Sequence, residues 1–185
     1  MADVLVIGAG VIGCASALAL AKRGASVCVV ERGAPVAGGP ESRPPWGEGA
    51  SWAAAGVIGA QVEIEEDGPM AQLCLASHAR YAAWAGALVE ATGIDVGFRP
   101  CGVMRVAFDA REAAAIAREA AWQAATKLPV EVLDGAAARA LEPSLSDQVT
   151  GGVRFGGDGR VDPPALMQAL RIAAVEAGAR FRGGA

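Results

Sequence analysis

Four residues near the N-terminus have the types and spacing of a phosphate-binding turn. Gly8, Gly10 and Gly13 form Gly-x-Gly-x-x-Gly across Gly8-Ala9-Gly10-Val11-Ile12-Gly13, and Glu31 follows 18 residues after the last glycine. Each position has its own physical task. Gly8 allows a tight turn, Gly10 lets backbone approach a pyrophosphate, and Gly13 lets a helix pack against the preceding strand. The helix N-terminus then offers free N–H donors and a positive dipole end to phosphate charge. An acid at Glu31 accepts hydrogen bonds from adenosine ribose hydroxyls and repels a 2′-phosphate.

A strand, a helix and a second strand must position these residues. Asp3 to Ile7 is a short apolar run that reads as a buried parallel strand, apolar on both faces. Cys14 to Arg23 is Ala- and Leu-rich and reads as a helix closed by Gly24. Ser26 to Val30 reads as a second buried strand ending at Glu31. The alternatives are a Gly-rich turn of another α/β protein and, for Glu31, a solvated strand-end acid. The complete βαβ context favours dinucleotide binding.

Composition narrows the class. The chain has 185 residues, 53% of them hydrophobic and 19% charged, with a net charge of −4. Disorder needs the opposite balance, and the size suits one domain or a little more. A negative chain gives no support to a nucleic-acid face. Cys14, Cys28, Cys74 and Cys101 lie far apart with no CxxC pair, against a zinc ribbon or a disulfide scaffold. They suit a reduced, cytoplasmic protein and are expected to be buried small hydrophobes. His78 is the single histidine, too few for a His-based metal site, and is expected at the surface or edge of a helix. Residues 4–21 are apolar, but Asp3 precedes them and glycines at 8, 10 and 13 interrupt them, against a membrane span. Glu63, Glu65, Glu66 and Asp67 read as a solvated loop giving negative charge to the next helix N-terminus, not as metal ligands.

The remaining elements follow from periodicity and punctuation. Gly33 to Gly49 is a Pro- and Gly-rich loop, with Trp46 either anchoring it or exposed. Pro69 to Thr92 reads as one long helix with Met70, Leu73, Cys74, Ser77, Tyr81, Trp84 and Leu88 on its core face. Val103 to Phe108 alternates as a strand. Asp109 with Glu112 signals the cap of a helix running to about Thr126. Val130 to Leu133 is a strand, and Asp134 caps a short helix ending near Leu141. Gly151 to Phe155 and Gly159 to Val161 are candidate paired strands around Gly156-Gly157-Asp158. Asp162 and Pro163 start a helix with Leu166, Leu170, Ala173 and Ala177 on one face, ended by Gly178, and Ala179-Arg180-Phe181 begins a strand.

From Gly49 to Ile58 the chain is dense in small residues, which lets backbone approach something large and flat. Glu31-Arg32-Gly33, a Gly-rich stretch, then Ser51-x-Ala-Ala-Ala55-Gly56-Val57 resembles the FAD-dependent D-amino-acid oxidase superfamily, most like glycine oxidases of the thiamine-pathway type. Thr92-Gly93-Ile94-Asp95, Leu141-Glu142-Pro143, Gly159-Arg160-Val161-Asp162-Pro163 and the acidic stretch extend the resemblance over nearly the whole chain. The family often carries Met where Val57 stands, and the loop from Val36 to Gly47 is longer than usual.

The resemblance implies an α/β fold, with a Rossmann-like FAD-binding βαβ unit and part of a mixed α+β substrate domain. Residues 1–92 would form the FAD-binding part, 93–161 a partial substrate domain, and 162–185 a helix and strand returning to the FAD part. It implies FAD contacts at Gly8, Gly10, Val11, Ile12, Gly13, Glu31 and Arg32. Ala50 and Ser51 would lie near the pyrophosphate, and Ala55, Gly56 and Val57 near the flavin ring. The implied reaction oxidises glycine, sarcosine or a small D-amino acid through an imine to a 2-oxo acid, with hydrogen peroxide as co-product. No residue is assigned a catalytic role, because the substrate-clamping arginine and the far side of the flavin fall in family segments with no counterpart here. A truncated chain, or one subunit of a two-chain enzyme, is therefore expected, with a second chain or C-terminal half as partner. A non-catalytic fragment and an NAD-linked dehydrogenase are the alternatives, the latter disfavoured by Ala50 to Val57.

Overall fold

The fold is described from a computed structural model, over residues 1–33 and 49–184. The elements run β1 (Val4–Ile7), α1 (Val11–Ala21), β2 (Val27–Glu31), α2 (Ala50–Ala53), β3 (Val57–Ile58), α3 (Pro69–Ala79) and α4 (Tyr81–Thr92). They continue as β4 (Val103–Ala107), α5 (Ala110–Ala125), β5 (Val130–Asp134), α6 (Gly135–Leu141), β6 (Gly151–Phe155), β7 (Gly159–Arg160), α7 (Pro163–Glu176) and β8 (Arg180–Gly183). The reading of residues 33–49 and of Trp46 lies almost wholly outside the described residues. The chain divides into two units, Met1–Gly56 with Ala83–Phe98 and Val161–Ala185, and Val57–Ala82 with Arg99–Arg160. Among the described residues no helix is long and apolar enough to cross a membrane.

In the first unit the expected βαβ order is present. β1 pairs with β2 in parallel, Val4 with Val27 through Ile7 with Val30. The other edge of β2 takes β8, Cys28 with Arg180 through Glu31 with Gly183. The sheet order is β1–β2–β8, and α1 packs against α7. Cys14, Ala17, Leu18 and Ala21 of α1 are buried, as are Leu166, Ala169, Leu170, Ala173 and Ala174 of α7. Small side chains on both helices let them approach closely, and α1 packs against β2, whose Val27 and Val29 are fully buried. The expectation that β1 is buried on both faces is corrected. Its side chains alternate, and Leu5 and Ile7 remain 60% and 84% exposed. The exposed positions lie on the edge strand: Cys28, beside Leu5 on the central strand β2, is buried.

In the second unit, an antiparallel sheet of order β4–β6–β5 has β6 at its centre. Ile116 and Ala120 of α5 pack with Ala107, Val153 and Phe155. Ala138 of α6 packs with Leu133 and Val149 in a separate cluster. The expected pairing of Gly151–Phe155 with Gly159–Val161 does not form. Both edges of β6 are occupied by β4 and β5, so β7 pairs instead with β3, Val57 with Arg160 and Ile58 with Gly159. The three aspartate caps are as expected. Asp109 accepts from the Glu112 N–H at 2.8 Å, Asp134 from Ala137 at 2.8 Å, and, in the first unit, Asp162 from Ala165 at 3.0 Å.

The single long helix expected over 69–92 is two helices. The Arg80 N–H bonds the Ser77 carbonyl, three residues back, and Arg80 drops out of the helical run. The stripe read from Tyr81, Trp84 and Leu88 therefore does not carry back through the break. In α3 the shielded positions are Ala71, Cys74, Leu75 and His78, while Met70 and Leu73 are exposed. His78, expected at the surface or edge of a helix, is half-buried, and its shielded Nε2 has no hydrogen-bond partner among the described residues. The cysteine expectation holds for Cys14 and Cys28, which are buried, but Cys74 is half-buried and Cys101 is exposed. Cys101 follows Pro100 in an irregular segment with no apolar face to turn inward. The acidic residues 63 and 65–67 are exposed, and among the described residues no His, Cys, Asp and Glu side chains gather as a metal site.

The second unit also carries a buried polar cluster. Asp158 is 0% exposed, and its carboxylate accepts from the N–H groups of Gln61 at 2.9 Å and Val62 at 2.8 Å. The Gln61 side chain accepts from the Gly157 N–H at 2.8 Å and donates to Gln123 Oε1 at 3.0 Å, while Gln123 Nε2 donates back to the Gln61 carbonyl at 2.9 Å. Burial pushes the Asp158 carboxyl above the usual range, while the N–H groups of Val62 and Gln61 and the nearby His78 pull it back.

Candidate dinucleotide site

The glycine turn joins β1 to α1 in the first unit. Gly8 has φ +96°, a conformation that disfavours any side chain, and its N–H donates to the Val30 carbonyl at 2.8 Å. A Cβ on Gly13 would fall inside the Gly8 carbonyl oxygen and 3.4 Å from Val6 Cγ1, so α1 approaches β1 as closely as backbone allows. Gly10 is the N-cap of α1 and offers no side chain to it. The N–H groups of Val11, Ile12 and Gly13 have no intrahelical acceptors because they open the helix. Val11 donates to Ser51 Oγ at 3.0 Å. A Cβ on Gly10 would stand 3.0 Å from the same hydroxyl, so the hydroxyl fills the space that this glycine leaves.

Glu31 ends β2 and turns its carboxylate toward the glycine turn. It accepts from the Ala9 N–H at 2.7 Å and from the Gly33 N–H at 3.2 Å. These two bonds hold its carboxyl below the usual glutamate range, against a smaller opposing effect of burial. The contact to Ala9 is one that sequence reasoning missed, since Ala9 is an unremarkable spacer in the motif. Cys14, beneath the turn, donates its thiol to the Ala9 carbonyl at 3.2 Å, and burial pushes that thiol up to about 12.

The first unit thus brings Gly8, Gly10, Val11, Gly13, Glu31 and Ser51 together around one turn. Ile12 is exposed on the first turn of α1, Arg32 is exposed just past β2, and Ala50 opens α2 beside Ser51. Ala55 is exposed, and Gly56 is buried with φ +82°. The chain then passes to Val57, the first residue of β3 in the second unit, where the side chain is 49% exposed. The donors at the start of α1, the side-chain-free Gly10 and the acid at the end of β2 fit a dinucleotide with an unmodified ribose.

Comparison with known proteins places the chain in a family. The family described as FAD dependent oxidoreductase (DAO) matches residues 3–185. Glycine oxidase of Geobacillus kaustophilus is 38% identical over 178 residues, covering 96% of this chain and 44% of that protein. Its crystal structure superposes with a TM-score of 0.88 over 99% of this chain and 46% of the other. Glycine oxidase of Bacillus cereus superposes with a TM-score of 0.84 at 33% identity, again covering 46% of that chain. The bifunctional protein ThiO/ThiG of Synechocystis is 35% identical over 184 residues, covering 98% of this chain and 24% of that protein. The chain therefore spans less than half the length of these relatives. With the family matched from Asp3 to Ala185, the chain belongs to the FAD-dependent oxidoreductases of the DAO family.

Proposed function

We propose that this chain carries the FAD-binding turn of an amino-acid oxidase acting on glycine, sarcosine or a small D-amino acid. The observation that carries the reading is the turn itself. Ser51 Oγ, from α2, lies on the Val11 N–H at the start of α1, and Glu31 of β2 reaches back to Ala9, so both contacts converge on the glycine turn of one βαβ unit. In this reading Gly8, Gly10, Val11, Ile12, Gly13, Glu31 and Arg32 serve the adenosine and pyrophosphate. Ala50 and Ser51 serve the pyrophosphate, and Ala55, Gly56 and Val57 serve the flavin ring. FAD, when bound, supplies the two-electron acceptor for amine oxidation. The chain's own part is to bind and orient it: helix N–H groups neutralise phosphate charge, and Glu31 selects an unphosphorylated ribose.

The test is the visible absorption of the purified chain before and after adding FAD, followed by anaerobic addition of glycine, sarcosine or D-alanine. A protein-bound oxidised flavin spectrum that bleaches with one of these amines, and yields hydrogen peroxide in air, supports the reading. A chain that retains neither FAD nor ADP sinks it.

A second reading is favoured by the bare face of β1. Leu5 and Ile7 are too exposed for a strand of their composition. In this reading the chain works with a further polypeptide that covers that face, and a co-purifying partner that restores amine oxidation would support it.

A further inference from the structure

Gly56 is constrained both by its backbone angle and by its neighbours. A Cβ built on it would fall inside the Val161 carbonyl oxygen and 3.1 Å from the Pro163 ring, and its φ is +82°. Its own carbonyl accepts from the Val161 N–H at 2.8 Å. The backbone at Gly56 is therefore set by the segment Val161-Asp162-Pro163. That segment is fastened from two other directions. The Asp162 N–H donates to the Val96 carbonyl at 2.9 Å, and a Cβ on Gly97 would stand 3.1 Å from the Asp162 Cβ. The Asp162 carboxylate accepts from the Ala165 N–H at 3.0 Å, and Pro163 takes the first position of α7 with its φ fixed by the ring. Everything in this chain of contacts lies in the first unit.

We propose that Asp162 is a positioning residue for FAD: by capping α7 it fixes the Val161–Pro163 junction that holds Gly56, the residue assigned to the flavin ring. The proposal rests on the FAD reading given above. Loss of the cap frees the first turn of α7, where the N–H groups have no intrahelical acceptors. Pro163 and Val161 then lose their fixed relation to Gly56. The adenosine end is held by other bonds, from Gly8 to Val30 and from Ala9 to Glu31. Damage to the junction should therefore separate the two ends of the cofactor.

The experiment compares FAD with ADP, which carries the adenosine and pyrophosphate alone, on the wild-type chain, Asp162→Ala and Asp162→Asn. Dissociation constants are read by titration, and the flavin environment by visible circular dichroism. In Asp162→Ala the FAD dissociation constant should rise about tenfold, the ADP constant should stay within about twofold, and the flavin dichroism should change. Asp162→Asn should restore all three, because asparagine caps a helix as well as aspartate does. Equal weakening of FAD and ADP in Asp162→Ala means general destabilisation and overturns the proposal. So does unchanged FAD affinity with unchanged dichroism. A wild-type chain that prefers FAD over ADP, with Asp162→Ala showing the same preference, overturns this proposal alone. A wild-type chain without that preference overturns the flavin assignment of Gly56 as well. If Asp162→Ala does not fold, hydrogen exchange on the wild type decides. FAD should slow exchange at the Val161 and Ala165 amides more than ADP does, and equal protection by both overturns the proposal.

Discussion

Glu31 holds its carboxyl in the charged form because two backbone N–H groups point at it, Ala9 first and Gly33 second. A carboxyl whose pKa is lowered on folding adds stability above its unfolded value and loses it as pH falls through the folded value. The ordinary value is 4.5 and the shift is downward. The stability gap between wild type and Glu31→Gln should therefore stay constant from pH 8 to about pH 5 and close only below the ordinary glutamate range. Thermal unfolding of both proteins across that range checks it, and a gap closing near neutrality would contradict it. The thiols make a second prediction. Cys14 is buried with its pKa pushed up to about 12, whereas Cys101 is exposed. Only the thiolate reacts. An aromatic disulfide reagent at pH 8 should thus label Cys101 rapidly and Cys14 only after denaturation, as peptide mapping would report. None of this was visible in composition, because cysteine is apolar by type and only its place in the fold decides its exposure.

Elements whose ends are marked by one residue were legible. Asp109, Asp134 and Asp162 each cap the helix that their spacing announced, because an N-cap is a local contact within three residues. The break at Arg80 was not legible, since an apolar stripe at helical spacing looks continuous across a single non-helical residue. The partner of β7 was not legible either. Gly156-Gly157-Asp158 looks like a hairpin turn, but strand pairing is decided by which edges are already filled, and β4 and β5 fill those of β6. Nor does a short acid between glycines announce that it will be fully buried. Asp158 fastens the turn after β3 through two N–H groups. Asp158→Ala should leave both N–H groups buried and unpaired, and lower unfolding stability by roughly 2 to 4 kcal/mol. Denaturant titration checks this, and a loss below about 0.5 kcal/mol, the range of an ordinary surface change, would be evidence against it.

For the whole molecule, the parallel βαβ unit was readable from glycine spacing, and the strands β4, β5 and β6 of the second sheet from alternation and turns, but not their pairing. The exposure of Leu5 and Ile7 on β1 was not readable either. An all-apolar run such as Val4 to Ile7 specifies a buried strand but does not say which segment buries each face. Leu5→Thr with Ile7→Thr should reduce binding of a hydrophobic dye and any self-association, with stability changed by no more than about 0.5 kcal/mol. Dye fluorescence and sedimentation measure the two effects. A large loss of stability would mean that these side chains are buried in solution by something the isolated unit does not show.

The order β1–β2–β8 sets a timetable for synthesis. Cys28 and Arg180 are neighbours in the sheet yet roughly 150 positions apart along the chain. At typical ribosomal speeds of about 5–20 residues per second, β2 waits roughly 7 to 30 s for its second neighbour. Residues 57–82 and 99–160 leave the ribosome during that wait and belong to the other unit, so they are free to fold first. The nascent chain meanwhile displays Val27, Val29 and the rest of an apolar strand with one edge unpaired, a template for wrong pairing. Any slowing of translation between Gly56 and Val161 would lengthen that exposure and raise the demand for a chaperone, without altering a single contact of the finished fold.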